Sequence, residues 1–299
     1  MIASLSYFQA ILLGLLQGVT ELFPVSSLGH SVLIPALFGW HNLVSGETSK
    51  ASFFITFLIG LHFGTALGLL AYYRDQWREM ALAALAQVRK ARTDGVAALW
   101  RLDDPAVDKN YRLLALLVIG AVPVLVIGYV LEAPLRELFA KPLAAAIFLT
   151  INGGVLLLAE RMRAMRGRRA KRQVVDNLSP IDALKVGSSQ ILALFAGISR
   201  SGVAMVAGMN LGLEHEDAAS FAFLLGTPVI FIAALAKMPS LFGHLGQGVR
   251  TQSLVGMVVA MVASYVSVSF LAKWFTTKSL RPFGYYCLVA GVLCVLRFA

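Results

Sequence analysis

A chain of 299 residues is long enough for more than one water-soluble domain, but 58% of this one is hydrophobic, only 14% is charged, and its mean hydropathy is +0.75. That balance excludes an ordinary soluble protein and places the chain in lipid. The net charge of +10 does not point to nucleic acid, because most basic residues stand in two blocks between apolar stretches, Arg74 to Arg112 and Arg161 to Lys185, where charge is read first as membrane topology.

The opening segment, Met1 to Gly18, has no basic n-region and no small-residue cleavage site, so it reads as mature sequence rather than a signal peptide. The first apolar stretch, about 8–39, carries a polar, Gly-rich break in its middle. As one helix it would measure roughly 45 Å, too long for a simple span, while its halves are too short to cross. A pair of half-helices that dips in and returns is expected there. Stretches at about 53–73, 111–131 and 142–160 follow, each with the length and apolarity of a span. A second broken stretch at about 184–213 precedes three more spans, at about 219–237, 252–273 and 281–299. Cys287 and Cys294, seven apart in the last span, share one helix face and imply neither a disulfide nor a redox role.

Backbone that is not helical at membrane depth is tolerated only where protein or water surrounds it, so both breaks are expected to face a central polar cavity. The two broken stretches also resemble each other. At an offset of 173, Gly14, Gln17, Ser26, Gly29 and Gly39 fall on Gly187, Gln190, Ser199, Gly202 and Gly212. Each is followed by three spans, which suggests a duplicated unit within a single membrane domain, 1–299, with repeat one at about 8–160 and repeat two at about 184–299. An odd number of spans per unit inverts the second copy. The expected fold is therefore all-α, a polytopic membrane protein with six transmembrane helices plus two re-entrant helix hairpins in an inverted-topology repeat. With 74–112, 161–185 and 273–281 cytoplasmic, those loops hold 19 of the 26 Lys and Arg, and both termini and the first break face outside.

In the first break, Gln17 and Glu21 lie four apart on one face of the incoming half-helix, and Pro24 disfavours helix at Phe23 and ends it. Ser26, Ser27 and His30 follow at the turn. A hydroxyl nucleophile with a base and an acid close by is what acyl or phosphoryl transfer needs. The plain structural alternative is a Ser helix cap. Glu21 resists a plain reading, since an ionisable group at membrane depth is costly and usually functional. In the second break, Arg200 is flanked by Ser199 and Ser201 before Gly202, and it is the only basic residue between Lys185 and Lys237. A guanidinium among hydroxyls at a half-helix N-terminus suits a phosphate; an ion pair with Glu21 is the structural alternative, and the two are compatible. Gln190, the mate of Gln17, is expected to line the cavity.

His62, inside a span, reads equally as a core or a functional residue. His41, His215 and His244 fall near loops or helix ends, with Glu214, His215, Glu216 and Asp217 reading as a helix start. The basic run from Arg161 to Arg172 either touches anionic head groups or serves topology alone. The chain has no Walker A sequence, no His-Glu-x-x-His, no Gly-x-Ser-x-Gly and no Cys pair spaced for zinc, which sets aside ATP hydrolysis and zinc chemistry.

At these residues the sequence resembles the undecaprenyl-diphosphatase family, the bacterial membrane phosphatases linked to bacitracin resistance. The match covers Glu/Gln-x-x-x-Glu followed by Pro-Val-Ser-Ser-x-Gly-His, here Gln17 to His30, and Pro-Gly-x-Ser-Arg-Ser-Gly-x-Thr, here from Ala196 onward. Ala196 stands in place of the Pro, Met205 in place of the Thr, and Gln17 in place of the commoner Glu. The resemblance implies hydrolysis of undecaprenyl diphosphate to undecaprenyl phosphate and phosphate, recycling the lipid carrier of wall synthesis at the outer face of the bacterial inner membrane. It further implies Ser27 as nucleophile, His30 as proton carrier, Arg200 as diphosphate clamp, and Ser26, Ser199, Ser201 and Gly202 in support. Ser26 and His30 stay open as rival nucleophiles. Glu21 and Gln17 take polar or metal-facing roles, with Glu21 as the metal ligand for a divalent cation, Mg2+ or Ca2+. The partners implied are a polyprenyl diphosphate lipid and the membrane, with no nucleic acid and a homodimer left open. A lipid-carrier flippase using the same midplane site is the alternative, because broken helices in inverted repeats are also a transporter design. The other membrane phosphatase family, with a Ser-Arg-x5-His element, does not fit, since Val206 stands where its His belongs.

Overall fold

The computed structural model describes residues 5–40, 43, 53–139, 141–166, 177–243 and 248–299; His41, His244 and much of the basic run after Arg166 lie outside them. Within the described residues the chain is helical throughout. In order come α1 (Tyr7–Thr20), α2 (Ser27–Leu37), α3 (Phe53–Tyr72), α4 (Arg74–Asp94), α5 (Lys109–Phe139) and α6 (Pro142–Arg166), then α7 (Pro180–Ser189), α8 (Arg200–Asn210), α9 (His215–Phe242), α10 (Arg250–Trp274) and α11 (Arg281–Phe298).

Six of these, α3, α5, α6, α9, α10 and α11, are long and apolar enough to cross a membrane, matching the six expected spans. The four short helices are the two pairs that the broken stretches foreshadow. At 14 and 11 residues, α1 and α2 extend only roughly 21 and 16 Å, and α7 and α8, at 10 and 11, are no longer. Their starts are written locally. Ser6 and Gln9 form a reciprocal capping box at α1, and Ser179 and Asp182 do the same at α7, where Pro180 takes the first turn.

The two breaks share their serine caps and glycines, although the capping serines differ in backbone, φ +69° at Ser26 and −85° at Ser199. Ser26 caps α2 by accepting from Gly29 N at 3.2 Å, and Ser199 caps α8 by accepting from Gly202 N at 3.1 Å. Just past the end of α2, Gly39 has φ +68°; its mate past α8, Gly212, has φ +102°. Gly14 brings α1 against α10 at Gly256, while Gly187 brings α7 against α5 at Gly120. Each first half-helix is thus seated on a span from the other half of the chain.

Two elements differ from the sequence reading. The basic segment after Arg74, taken as a connection, is a helix of 21 residues that buries Met80, Ala83, Gln87 and Ala91 and exposes Leu82, Leu85 and Val88. Its Ala, Leu, Arg and Gln content is strongly helix-forming, and its charges mask that in a hydropathy scan. At the start of α9, Glu216 and Asp217 do occupy the first turn, but Glu214 makes no side-chain cap. It pairs with Arg163 instead, and His215 Nε2 lies 2.6 Å from the buried Glu160 Oε1, which also accepts from Leu280 N at 2.8 Å. The expected helix start is present and is also a clasp joining α6, α9 and the α10–α11 turn.

Where helices lack a hydrophobic drive to associate in lipid, small residues set their approach. A Cβ on Gly187 would collide with the backbone of Gly120, which cannot yield, whereas a Cβ on Gly154 would meet nothing within 4 Å. Gly187→Ala is expected to cost about 1–3 kcal/mol and lower the unfolding temperature in detergent. Gly154→Ala in the same assay is expected to leave it unchanged or raise it.

Candidate active site

The site begins with a strained residue. Ser26 has φ +69° and ψ 103°, the left-handed region, and is the only non-glycine with positive φ among the described residues. Such a conformation persists only where the surroundings over-determine it, and here they do. Its hydroxyl accepts from Gly29 N and, at 3.1 Å, from Gly197 N of the second break, while its carbonyl takes a hydrogen bond from His30 Nδ1 at 2.7 Å. Gly197, at φ +111°, is pressed so close to the Ala145 carbonyl that a Cβ would strike it. Asn152 of α6 completes the frame: Nδ2 donates to Pro24 O at 3.0 Å and Oδ1 accepts from Ser199 N at 3.0 Å. One buried amide therefore ties both breaks together.

This frame sets the first residue of α2, Ser27, and the first residue of α8, Arg200, on either side of Glu21. Ser27 Oγ donates a short hydrogen bond to Glu21 Oε2, which also accepts from Gln17 Nε2 at 3.1 Å. Arg200 Nε donates to the other oxygen, Oε1, at 3.2 Å. Arg200 NH1 reaches Gln190 Oε1 at 3.4 Å and Ala222 O at 3.5 Å, and the guanidinium lies against the bare face of Gly226. Three buried polar atoms in this group have no partner: Arg200 NH2, Gln190 Nε2 and Gln17 Oε1. Ser201 Oγ donates to Phe23 O at 3.4 Å, which leaves Ser199 Oγ to donate to Ser201 Oγ at 3.1 Å.

Glu21, Ser26, Ser27, His62, Gln190, Ser199 and Arg200 face a cavity of about 190 Å³. Gln17, Ser201 and Gly202 stand behind that wall. So does His30: with Nδ1 given to the Ser26 carbonyl, its Nε2 accepts from Tyr286 OH at 2.8 Å, and the two rings stack at 5.7 Å. His62, Val124, Leu194, Val229 and Ile230 also line a neighbouring apolar groove of about 470 Å³ between α3, α5 and α9, bordered further by Ile59 and Leu125. Asn152 and Tyr286 escaped the sequence reading, and His62 was left undecided. For Asn152 a signal existed, an amide in the apolar run of 142–159, on the same grounds that singled out Glu21.

Chemically, the arrangement pairs a hydroxyl with a carboxylate placed to take its proton. It also converges two helix N-termini, each carrying partial positive charge, on a pocket with unsatisfied guanidinium and amide donors. Such an arrangement can receive an anion beside a hydroxyl able to act as a nucleophile.

The chain is similar to known proteins over nearly its whole length. The family model of bacitracin resistance protein BacA matches residues 10–293. Undecaprenyl-diphosphatase 2 of Frankia alni is 42% identical, over 99% of this chain and 98% of the relative. An undecaprenyl-diphosphatase of Mycolicibacterium paratuberculosis is 40% identical over 97% of each chain, and one of Acidiphilium cryptum is 41% identical over 96% of each.

Removing the amide that ties the breaks leaves Ser199 N buried and unpaired, at a cost of about 1–3 kcal/mol, and leaves Pro24 O only the weak bond from Cys287 Sγ at 3.8 Å. Asn152→Ala is therefore expected to lower the thermal stability of the purified protein well beyond an average point substitution. An unfolding curve in detergent identical to wild type would remove Asn152 from the frame.

Proposed function

We propose a function for this chain, which belongs to the bacitracin resistance protein BacA family: it is a multi-pass membrane phosphatase that hydrolyses undecaprenyl diphosphate to undecaprenyl phosphate and inorganic phosphate. The observation that carries the reading is two cavities side by side. A polar one holds unpartnered buried donors on Arg200 and Gln190, and it shares lining residues with an apolar groove. A diphosphate head and a prenyl tail need those two environments side by side.

In this reading the terminal phosphate lies against Arg200 NH2 and Gln190 Nε2 at the N-termini of α2 and α8. Ser27 Oγ attacks the terminal phosphorus; as that bond forms, the bridging P–O bond breaks and its electron pair leaves on the lipid phosphate. The Ser27 proton passes to Glu21 Oε2, already its hydrogen-bond acceptor. Water then attacks the phosphoserine phosphorus, its protons leave with the phosphate, and the departing Ser27 oxygen takes its proton back from Glu21. Arg200 stabilises charge on the transferred group, the larger part of such catalysis. Between turnovers its pairing with Glu21 keeps both charges satisfied. Ser27 is favoured over Ser26 because the Ser26 hydroxyl and carbonyl are committed to the frame. His30 acts as a positioning residue, since both of its nitrogens are engaged away from the cavity.

A divalent cation, Mg2+ or Ca2+, fits the donor set. Glu21 offers a carboxylate and Gln17 an orphaned buried oxygen beside it, and diphosphate oxygens and water complete such shells. When bound, it supplies further positive charge against the diphosphate. The reading also takes the chain as one membrane domain of two inverted repeats, about 8–160 and 184–299, whose short helices form re-entrant hairpins. The matched caps and glycines of the two breaks support this. The charge bias supports an active site on the outer face of the bacterial inner membrane, where the product re-enters wall synthesis. The flippase reading draws no support from the relatives, which are named as diphosphatases.

The test is phosphate release from a long-chain prenyl diphosphate by the purified protein in detergent, with and without chelator. Ser27→Ala and Arg200→Ala are each expected to lose at least about a hundredfold in kcat/KM. Gly226→Ala places a methyl group where the Arg200 guanidinium lies. Because that flexible end can move aside, a similar loss is expected with little change in unfolding temperature. A folded wild-type protein that releases no phosphate would end the phosphatase reading, and an active Ser27→Ala would end the role of Ser27.

A further inference from the structure

Among the described residues His62 is the one histidine lining the polar cavity. It sits mid-way along α3, with Nδ1 2.8 Å from Leu58 O. A carbonyl only accepts, so Nδ1 carries the hydrogen, and in the tautomer this sets Nε2 is the nitrogen free to ligate on the other side. There Nε2 is 3.8 Å from Glu21 Oε2, beyond hydrogen-bond distance. A carboxylate oxygen and an imidazole lone pair are both acceptors; facing each other across that gap, they call for something positive between them.

We propose that His62 is a protein ligand of the divalent cation, binding it through Nε2 beside Glu21. The proposal deepens the phosphatase reading and rests on it for the diphosphate that completes the shell.

Three observations agree. First, an imidazole that ligates a metal almost always gives its other N–H to a carbonyl or carboxylate, which fixes the tautomer and the ring, and Leu58 O does that here. Second, cis ligand atoms about 2.1 Å from one octahedral cation lie about 3.0 Å apart, so the 3.8 Å separation is open by less than about 1 Å and a small side-chain shift closes it on a bound ion. Third, His62 stands where the polar cavity meets the apolar groove, lining both. A cation held there would meet the diphosphate at the end from which the prenyl tail departs.

With only Glu21, His62 and the Gln17 amide oxygen on the protein side, the cation is held weakly until diphosphate oxygens join it. Among the described residues no group of three or more His, Cys, Asp or Glu offers a self-sufficient cage. A mixed nitrogen and oxygen set also shifts preference toward cations that accept imidazole, such as Mn2+, and away from Ca2+.

The experiment uses Mn2+ as the probe, added to the purified full-length protein in detergent with non-hydrolysable methylene diphosphonate. Pulsed electron paramagnetic resonance reads whether a nitrogen is bound directly to the metal, and titration reads the affinity. The expected result is modulation from one imidazole nitrogen in the wild type. It should vanish in His62→Gln and His62→Ala, with Mn2+ bound at least about tenfold more weakly. Bound Mn2+ without nitrogen modulation overturns the proposal, as does wild-type Mn2+ affinity in the His62→Gln variant or a wild type that binds no Mn2+. Phosphate release from a prenyl diphosphate is followed on the same wild-type sample. Release without the nitrogen signal sinks the ligand and leaves the phosphatase; a nitrogen signal without release keeps the ligand and sinks the phosphatase.

Discussion

Backbone that leaves the helix inside hydrocarbon must find every hydrogen bond within the protein, and the architecture around both breaks answers that demand. Each unsatisfied N–H or C=O there would cost several kcal/mol, and several of the donors and acceptors freed at residues 21–26 and 195–199 are met by named groups. Ser26 Oγ serves amides from both breaks, Asn152 serves a carbonyl of one and an amide of the other, and His30 serves the Ser26 carbonyl. The same bonds that make irregular backbone tolerable lock the breaks against each other. The geometry of the candidate site is a by-product of satisfying the backbone.

The frame has an electrostatic counterpart. Glu21 and Arg200 are both nearly buried and come from opposite ends of the chain. Either alone would be expensive at membrane depth, yet Arg200 keeps one arm unpaired. A guanidinium anchored through Nε and NH1 with NH2 free is held in place without being used up. That is the condition for receiving an anionic head group without first breaking the site apart. The stability of the pair and its readiness for phosphate are two consequences of one geometry.

Bare helix faces do the rest of the positioning. Gly226 leaves the space the guanidinium fills, and Gly29 and Gly197 let the two breaks touch through backbone. In water such contacts would be sacrificed for apolar burial; in lipid, where apolar side chains gain little by meeting one another, close approach is the available currency of association.

By itself the sequence determined the solvent, the six spans, the two interrupted stretches and the residue types at their breaks. These are properties of length, hydropathy and local chain stiffness, and they survive in any tertiary arrangement. Gln17, Glu21, Ser27, Gln190 and Arg200 were legible because polar groups at membrane depth are rare enough to stand out. Only the tertiary structure decided which of them share a wall. It turned His30 toward Tyr286 and away from the cavity, brought the undecided His62 to 3.8 Å from Glu21, and gave Asn152 its place between the breaks. It also added a clasp between His215 and Glu160 at the helix start that the sequence marks. Each depends on partners 41 to 256 positions away along the chain, and direction between distant helices is fixed by packing, about which a local pattern of residues carries no information.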